Sequence, residues 1–286
     1  MLRDCAVVIA THNRAATLRK SLEQLYDLPE RPLIVVADNA SDDETERAWK
    51  PFANRVHYLR LRRNIGAAAR TIGAREAGTP FVAFCDDDCA WHPGALELAV
   101  ERFEHYPHIA VLNGCVLVGE EQRRDPACQA MSEGVCGDCG VPIVYFMAGA
   151  SIMRTSAFLD AGGYHVRYFI GAEESLLALD LAARGWQLRY CDDLLLHHHP
   201  SPLNRDPERR RRLVLRNRLW TMFLRRSASC ALHALARYLR VAAYDRVARA
   251  ALREAVAGLP WVLRERRAIP AHLEQRLLPF DNLLTP

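Results

Sequence analysis

The chain has 286 residues, half of them apolar and a quarter charged, with a net charge of +4. That supplies enough apolar material for one sizeable core and excludes a disordered or fibrous chain; no uninterrupted apolar run approaches the ~18–20 residues of a membrane-spanning helix. The charge is polarised, because from Arg205 onward 18 basic residues face 7 acidic ones, a surplus of +11 that leaves the first 204 residues at −7.

The sequence enters the apolar segment Cys5 to Ala10 without the basic and long apolar regions of a secretory signal. Its nine cysteines, an odd number scattered through apolar segments, suit reduced thiols better than a disulfide framework. The expected compartment is the cytoplasm. Apolar runs at 5–10, 33–37, 56–61 and 81–85 read as strands, and amphipathic stretches at 15–28, 42–52, 67–77 and 93–104 as helices. This alternation predicts an α/β fold with a mainly parallel sheet flanked by helices. Ligands of such sheets bind beyond the carboxyl ends of the strands, where the sequence places Thr11-His12-Asn13, Asp38-Asn39 and Asp86-Asp87-Asp88. Three adjacent aspartates repel one another, so a cation or several hydrogen-bond donors is expected beside them.

A strand over 109–118 leads into a polar loop, 119–140, that carries Cys128, Cys136 and Cys139. The C-x-x-C there would suit a zinc-stiffened loop, but the usual fourth ligand is missing. Further on, a helix over 173–184 is closed by Gly185, and a strand over 194–196 runs into His197-His198-His199. From Pro207 the chain reads as helical and Arg-rich. Arg209 to Arg226 combine a basic cluster with Leu213, Leu215, Leu219, Trp220, Phe223 and Leu224, a pattern that suits a helix on an anionic membrane surface or one packed on the preceding domain. The acidic first part and the lack of a recognisable nucleic-acid module argue against nucleic acid as a partner.

Five segments, VVIATHNRAATLRKSL, VVADNASDDET, RNIGAAARTIGAREAGTPFVAFCDDD, GASIMR followed by GGY, and GAEESLLALDLAARGW, occur in the order found in family 2 glycosyltransferases. Over about residues 5 to 201 the chain resembles these inverting enzymes of the GT-A fold. The resemblance implies a catalytic domain over 1–204, with a nucleotide-binding half to about residue 90 and an acceptor half beyond it, and a helical C-terminal extension over 205–286. It also implies a UDP, dTDP or GDP sugar as donor, Mg²⁺ or Mn²⁺ as cofactor, and a glycan or lipid-linked acceptor in bacterial surface-polysaccharide synthesis. By the same resemblance, Thr11, His12 and Asn13 lie at the nucleotide, Asp38 takes a hydrogen bond from the base, and Asn64, Gly66 and Arg70 approach the donor.

Asp86 and Asp88 resemble the family's D-x-D pair, with Asp87 between them in the donor pocket. The resemblance implies that Asp88 binds the metal with help from Asp86, and hard oxygen ligands suit those ions. A histidine often follows at the position of the His run. On an alternating strand His197 and His199 share a face, which favours one of them over His198 as a further ligand. Inverting transfer needs a carboxylate base opposite the leaving group. The resemblance assigns it to Glu174, with Glu173 second, although family members usually carry Glu-Asp where this chain has Glu-Glu. Two other readings are a sugar-phosphate nucleotidyltransferase, whose Gly-rich opening loop is missing from Ala10 to Ala16, and a nucleotide-sugar-binding module without turnover.

Overall fold

The computed structural model describes residues 2–201 and 206–279. The boundary expected at residues 204 and 205 therefore lies outside the described residues. Strand β1 (Cys5–Thr11) is apolar up to its last residue, Thr11, and buried on both faces, as a central parallel strand must be. Helix α1 (Ala15–Tyr26) covers it with Leu18, Leu22 and Leu25, spaced to share one face. β2 (Leu33–Asp38) pairs parallel with β1. α2 (Thr45–Ala48) is only a single turn, followed by a 3₁₀ turn over Lys50–Phe52, shorter than the helix predicted over 42–52. Pro51 lacks the N–H that an α-helix would need there.

β3 (Val56–Arg60) extends the parallel set at the edge. A 3₁₀ turn, Gly66–Ala68, opens α3 (Ala69–Ala77), which returns the chain to β4 (Phe81–Asp86), parallel to β1 on its other side. β5 (Cys89–Trp91) and α4 (Ala95–His105) precede β6 (Ile109–Val118). The predicted polar loop contains β7 (Arg123–Arg124) and α5 (Pro126–Ser132), which starts where the Asp125 carboxylate accepts from the Ala127 amide and Pro126 takes the first turn. β8 (Val141–Pro142), β9 (Ser151–Arg154), α6 (Thr155–Asp160), α7 (Glu173–Ala183) and β10 (Gln187–His198) complete the sheet region.

The sheet runs β3-β2-β1-β4-β9-β6-β10-β5, with β7 on β6 and β8 on β10. Around β9 and at β5 the pairing is antiparallel, and elsewhere along that path it is parallel. β10 is much longer than the predicted 194–196. Arg189, Asp192 and Asp193 interrupt its apolar pattern, and the ladder accommodates them with a register shift between Cys191 and Leu195.

The extension forms α8 (Pro207–Arg225), α9 (Ala228–Tyr244), α10 (Arg246–Ala257), α11 (Leu259–Arg264) and α12 (Ala271–Leu277). The apolar side of α8, which the sequence offers equally to a membrane, is covered by protein. Leu215, Leu219, Trp220 and Leu224 share a core with Tyr168 and Leu176 on one side and Val247, Ala251, Trp261 and Val262 on the other. Burying four such side chains contributes on the order of 1.5–3 kcal/mol each. Among the described residues no helix is long and apolar enough to cross a membrane.

Candidate active site

Parallel register aligns the strand ends, with Thr11 opposite Asp38 and Ala10 opposite Asp86. The three aspartates that follow point to different partners. The Asp86 carboxylate forms an ion pair with Arg70 on α3 and lies against Gly149, where a Cβ would come within 2.5 Å of a carboxylate oxygen. Asp87 turns inward, accepting from Thr11 Oγ1 at 2.7 Å and pairing with Arg14 Nε at 3.1 Å. Asp88 pairs with Arg14 Nη2 at 2.7 Å, and His198 Nε2 lies 3.5 Å from its Oδ1.

Burial pushes the Asp87 carboxyl up to about 7 against the pull of Arg14 and Thr11. For Asp88, burial raises the pKa too, but the hydrogen bond with His198 and the Arg14 charge win and hold it at about 2. One carboxylate is therefore kept ionised at the crevice while its neighbour is inclined to keep a proton.

The second half of the site is the N-terminus of α7. Glu173 is buried and Glu174 half-buried in its first turn. Burial raises Glu173, opposed chiefly by the charge of Arg70, and one of its oxygens has no hydrogen-bond partner. Burial and then the Glu173 charge raise Glu174 to about 8, with Arg218 and Arg210 of α8 pulling the other way. Arg70 thus stands between the aspartates and the glutamates.

The loop before α7 is fixed by the extension. The amide nitrogen of Asn217, a wholly buried residue of α8, donates to the carbonyls of Tyr168 at 2.9 Å, Ile170 at 3.3 Å and Gly171 at 2.6 Å. Phe169 and Ala172 have φ of +64° and +60°, backbone that residues other than glycine seldom adopt. The Asn217 contacts hold them there. Phe169 in turn reaches the donor side, its carbonyl accepting from the Ala67 amide at 2.6 Å; a side chain at Gly66 would collide with that carbonyl.

Several sequence expectations change in geometry. Asp38 is fully buried: Oδ1 accepts from the Ser41 amide at 3.0 Å and its hydroxyl at 2.5 Å, and Oδ2 from Tyr58 at 2.5 Å. These bonds brace the turn after β2. The Thr11 hydroxyl is likewise spent on Asp87. His12 is exposed at the crevice, and Asn13, with φ of +54°, accepts from the Asp42 amide. Asn64 closes its own turn by accepting from the Gly66 amide.

In the histidine run, His197 and His199 do share a face, with rings 4.0 Å apart, but it is His198 that lies beside the Asp88 carboxylate. His197 bonds the Gly119 carbonyl and His199 contacts Gln24, while antiparallel pairing sets His198 opposite Cys89, beside Asp88. Arg14, which ties Asp87 to Asp88, is the residue the sequence reading missed. Its only signal was its place in THNR, three residues beyond the end of β1.

Asp88, Cys89 and His198 offer ligand atoms within 4.8 Å of one another, the one such group among the described residues. Of these the carboxylate suits Mn²⁺ or Mg²⁺, which take hard oxygen ligands, whereas an imidazole is a softer donor. The C-x-x-C loop assembles no comparable set. Cys136 is exposed, Cys139 is buried beside Cys191, and Cys128 lies against Gly114 and Met147.

A family model, glycosyl transferase family 2, matches residues 6–170. The chain belongs to this family. The glycosyltransferase is 26% identical over 239 residues to the N-acetylglucosaminyl-diphospho-decaprenol L-rhamnosyltransferase of Mycobacterium tuberculosis, covering 70% of this chain and 78% of that one. Its fold resembles S. aureus TarS 1-349 in complex with UDP-GlcNAc, with a TM-score of 0.57 and 19% identity over 76% of this chain and 66% of that one. It also resembles the mannosyltransferase PcManGT from Pyrobaculum calidifontis in complex with GDP-Man and Mn²⁺, with a TM-score of 0.58 and 20% identity over 89% of this chain and 75% of that one. The GT-A architecture predicted from the sequence is therefore the one observed.

Proposed function

We propose that this glycosyltransferase moves a sugar, with inversion, from a nucleoside diphosphate donor to a hydroxyl of a lipid-linked acceptor. The observation that carries the reading is that Arg70 pairs with Asp86 and lies in the field of the buried Glu173, which brings the strand end that carries Asp88 to the helix start that carries Glu174. The donor lies over the ends of β1, β2 and β4, near His12 and the Asn64–Gly66 turn. Mg²⁺ or Mn²⁺, held by Asp88 and His198 with Asp86 near, would offset the charge of the diphosphate and of the departing nucleotide. Arg70 and Arg14 orient the aspartates around that group.

Glu174 takes the acceptor's proton as the hydroxyl oxygen attacks the anomeric carbon from the face opposite the diphosphate. Its raised affinity for a proton makes it a stronger base once ionised, as pH approaches and passes about 8. Glu173, buried against Arg70, positions that arginine. The extension, from about residue 205, is a support for the acceptor loop. The decaprenol-linked substrate named for the mycobacterial relative favours a lipid acceptor, and with it a peripheral position on the cytoplasmic face of a membrane during surface-glycan assembly.

Calorimetric titration with UDP, dTDP and GDP sugars, with and without Mn²⁺, tests the donor reading. One nucleotide class should bind in a metal-dependent way, Asp88→Ala should abolish that binding, and Glu174→Gln should keep it while losing transfer. Binding without turnover in the unaltered chain would mean a module without catalysis, and normal transfer by Glu174→Gln would remove Glu174 as the base.

A further inference from the structure

The arginines of α8 divide into two sets. Arg211 pairs with Asp245, Arg212 and Arg216 pair with Glu254 at 3.0 and 3.4 Å, and Arg225 pairs with Asp180 at 2.5 Å. Arg209, Arg210 and Arg218 have no carboxylate within ion-pair distance among the described residues.

This second set faces the loop before α7. Arg210, Val214 and Arg218 follow one another at four-residue spacing and so share a side of the helix. Val214 of that side lies against Gly171, where a Cβ would come within 2.6 Å of its Cγ2. The Arg209 guanidinium sits over the Phe169 ring, 5.3 Å from its centre. The charges of Arg218 and Arg210 both reach Glu174. Arg218 Nε is buried without a hydrogen-bond partner, and a buried donor left unmade on a cation is a place for an anion. Glu174 does not supply that anion near neutral pH, because burial and the Glu173 charge incline its carboxyl to keep a proton up to about 8.

We propose that Arg210 and Arg218, with Arg209 at the rim, bind a phosphate group of the acceptor, the diphosphate through which its sugar is joined to lipid. This rests on the lipid-linked acceptor proposed above. A sugar whose hydroxyl meets Glu174 carries a phosphate only one ring away, on the scale of an arginine side chain's reach, and the planar guanidinium fork matches phosphate oxygens. The donor's diphosphate is answered on the strand side by the metal proposed at Asp88, which leaves the cations of α8 to the acceptor.

Calorimetry of the metal-free full chain with geranyl diphosphate and with geraniol tests this. The diphosphate should bind and the alcohol should not, and a nucleoside diphosphate sugar added with Mn²⁺ should not displace it. Arg210→Gln and Arg218→Gln should each weaken binding about tenfold, with helicity and metal-dependent nucleotide binding unchanged. Arg253→Gln, at an exposed arginine of α10, should leave it unaltered. Arg210 is itself exposed, so its variant reports even where Arg218→Gln fails to fold. Failure of geranyl diphosphate to bind, its displacement by the nucleotide sugar, undiminished binding by Arg210→Gln, or an equal loss in Arg253→Gln overturns the proposal. So does a shifted pH profile of transfer in Arg210→Gln with diphosphate binding intact, since the arginine then serves only the proton of Glu174. Loss of nucleotide binding in the unaltered chain, with the diphosphate still bound and still dependent on Arg210, would instead remove the donor reading and leave this subsite standing.

Discussion

Glu173 and Glu174 are neighbours of the same residue type, yet their surroundings give them different work. Glu173 is buried against Arg70 and is poorly placed to meet an acceptor, whereas Glu174 is half-buried and its carboxyl is pushed up to about 8. A base acts only when deprotonated, so kcat/KM should fall about tenfold per pH unit below that value and level off above it. A pH profile of transfer at saturating metal checks this, and a flat profile between about pH 6 and pH 9 would point to another base.

Asp87 makes a separate, structural prediction. Its folded-state pKa of about 7 lies above the ordinary 3.8, so between those values the folded chain holds a proton that the unfolded chain has released. Stability from this group is therefore greatest below about pH 4 and declines as pH rises towards 7. Asp88, held at about 2, works in the opposite sense and only below 3.8. Thermal melts of the unaltered protein and Asp87→Asn should diverge in favour of the variant as pH rises from 4 to 7. A difference that stays constant over that window would contradict the buried-carboxyl account.

At the level of elements, the loop between α6 and α7 is shaped more by α8 than by its own sequence. Asn217 supplies the donor for three buried carbonyls there, and Arg216 adds a fourth bond to Tyr168 at 2.9 Å. Asn217→Ala removes the side-chain donor of the Ile170 and Gly171 carbonyls and leaves Tyr168 only its bond from Arg216, which should cost about 1–3 kcal/mol. It should also lower kcat at least tenfold by displacing Glu174, by about the sensitivity expected of misplaced reacting groups. Urea denaturation and steady-state kinetics on the same preparation read both effects, and an unchanged kcat would mean that α7 positions Glu174 unaided.

This also shows where sequence reading stops. The parallel strands and their polar ends are legible because apolar runs and strand order fix register, which brings Thr11, Asp38 and Asp86 together. Alternation likewise foretells that His197 and His199 share a face. Which face meets Asp88 depends on pairing with β5, a contact 107 residues apart for Ala90 and His197 that no local pattern encodes. In the same way an amphipathic α8 looks alike whether its partner is lipid or protein, because periodicity records a buried side and not what buries it.

For the whole molecule, the question is whether the sheet region and the helical extension behave as one body. Tyr168 and Leu176, from the loop and helix at the active site, share a core with α8, α10 and α11. His165 stacks on Trp261 with ring centroids 5.1 Å apart, and Arg225 pairs with Asp180 of α7 at 2.5 Å. Separating the two parts would expose aromatic surface and leave a buried charge unpaired, both costly. Unfolding should therefore be a single cooperative transition, with fluorescence of Trp220 and Trp261 changing at the same temperature as far-UV circular dichroism of the sheet region. A donor nucleotide with Mn²⁺ should raise both signals together, because binding at one end of a coupled body stabilises all of it. Two resolved transitions, of which only one responds to the nucleotide, would show that the extension folds independently and that its grip on the acceptor loop is too weak to govern Glu174.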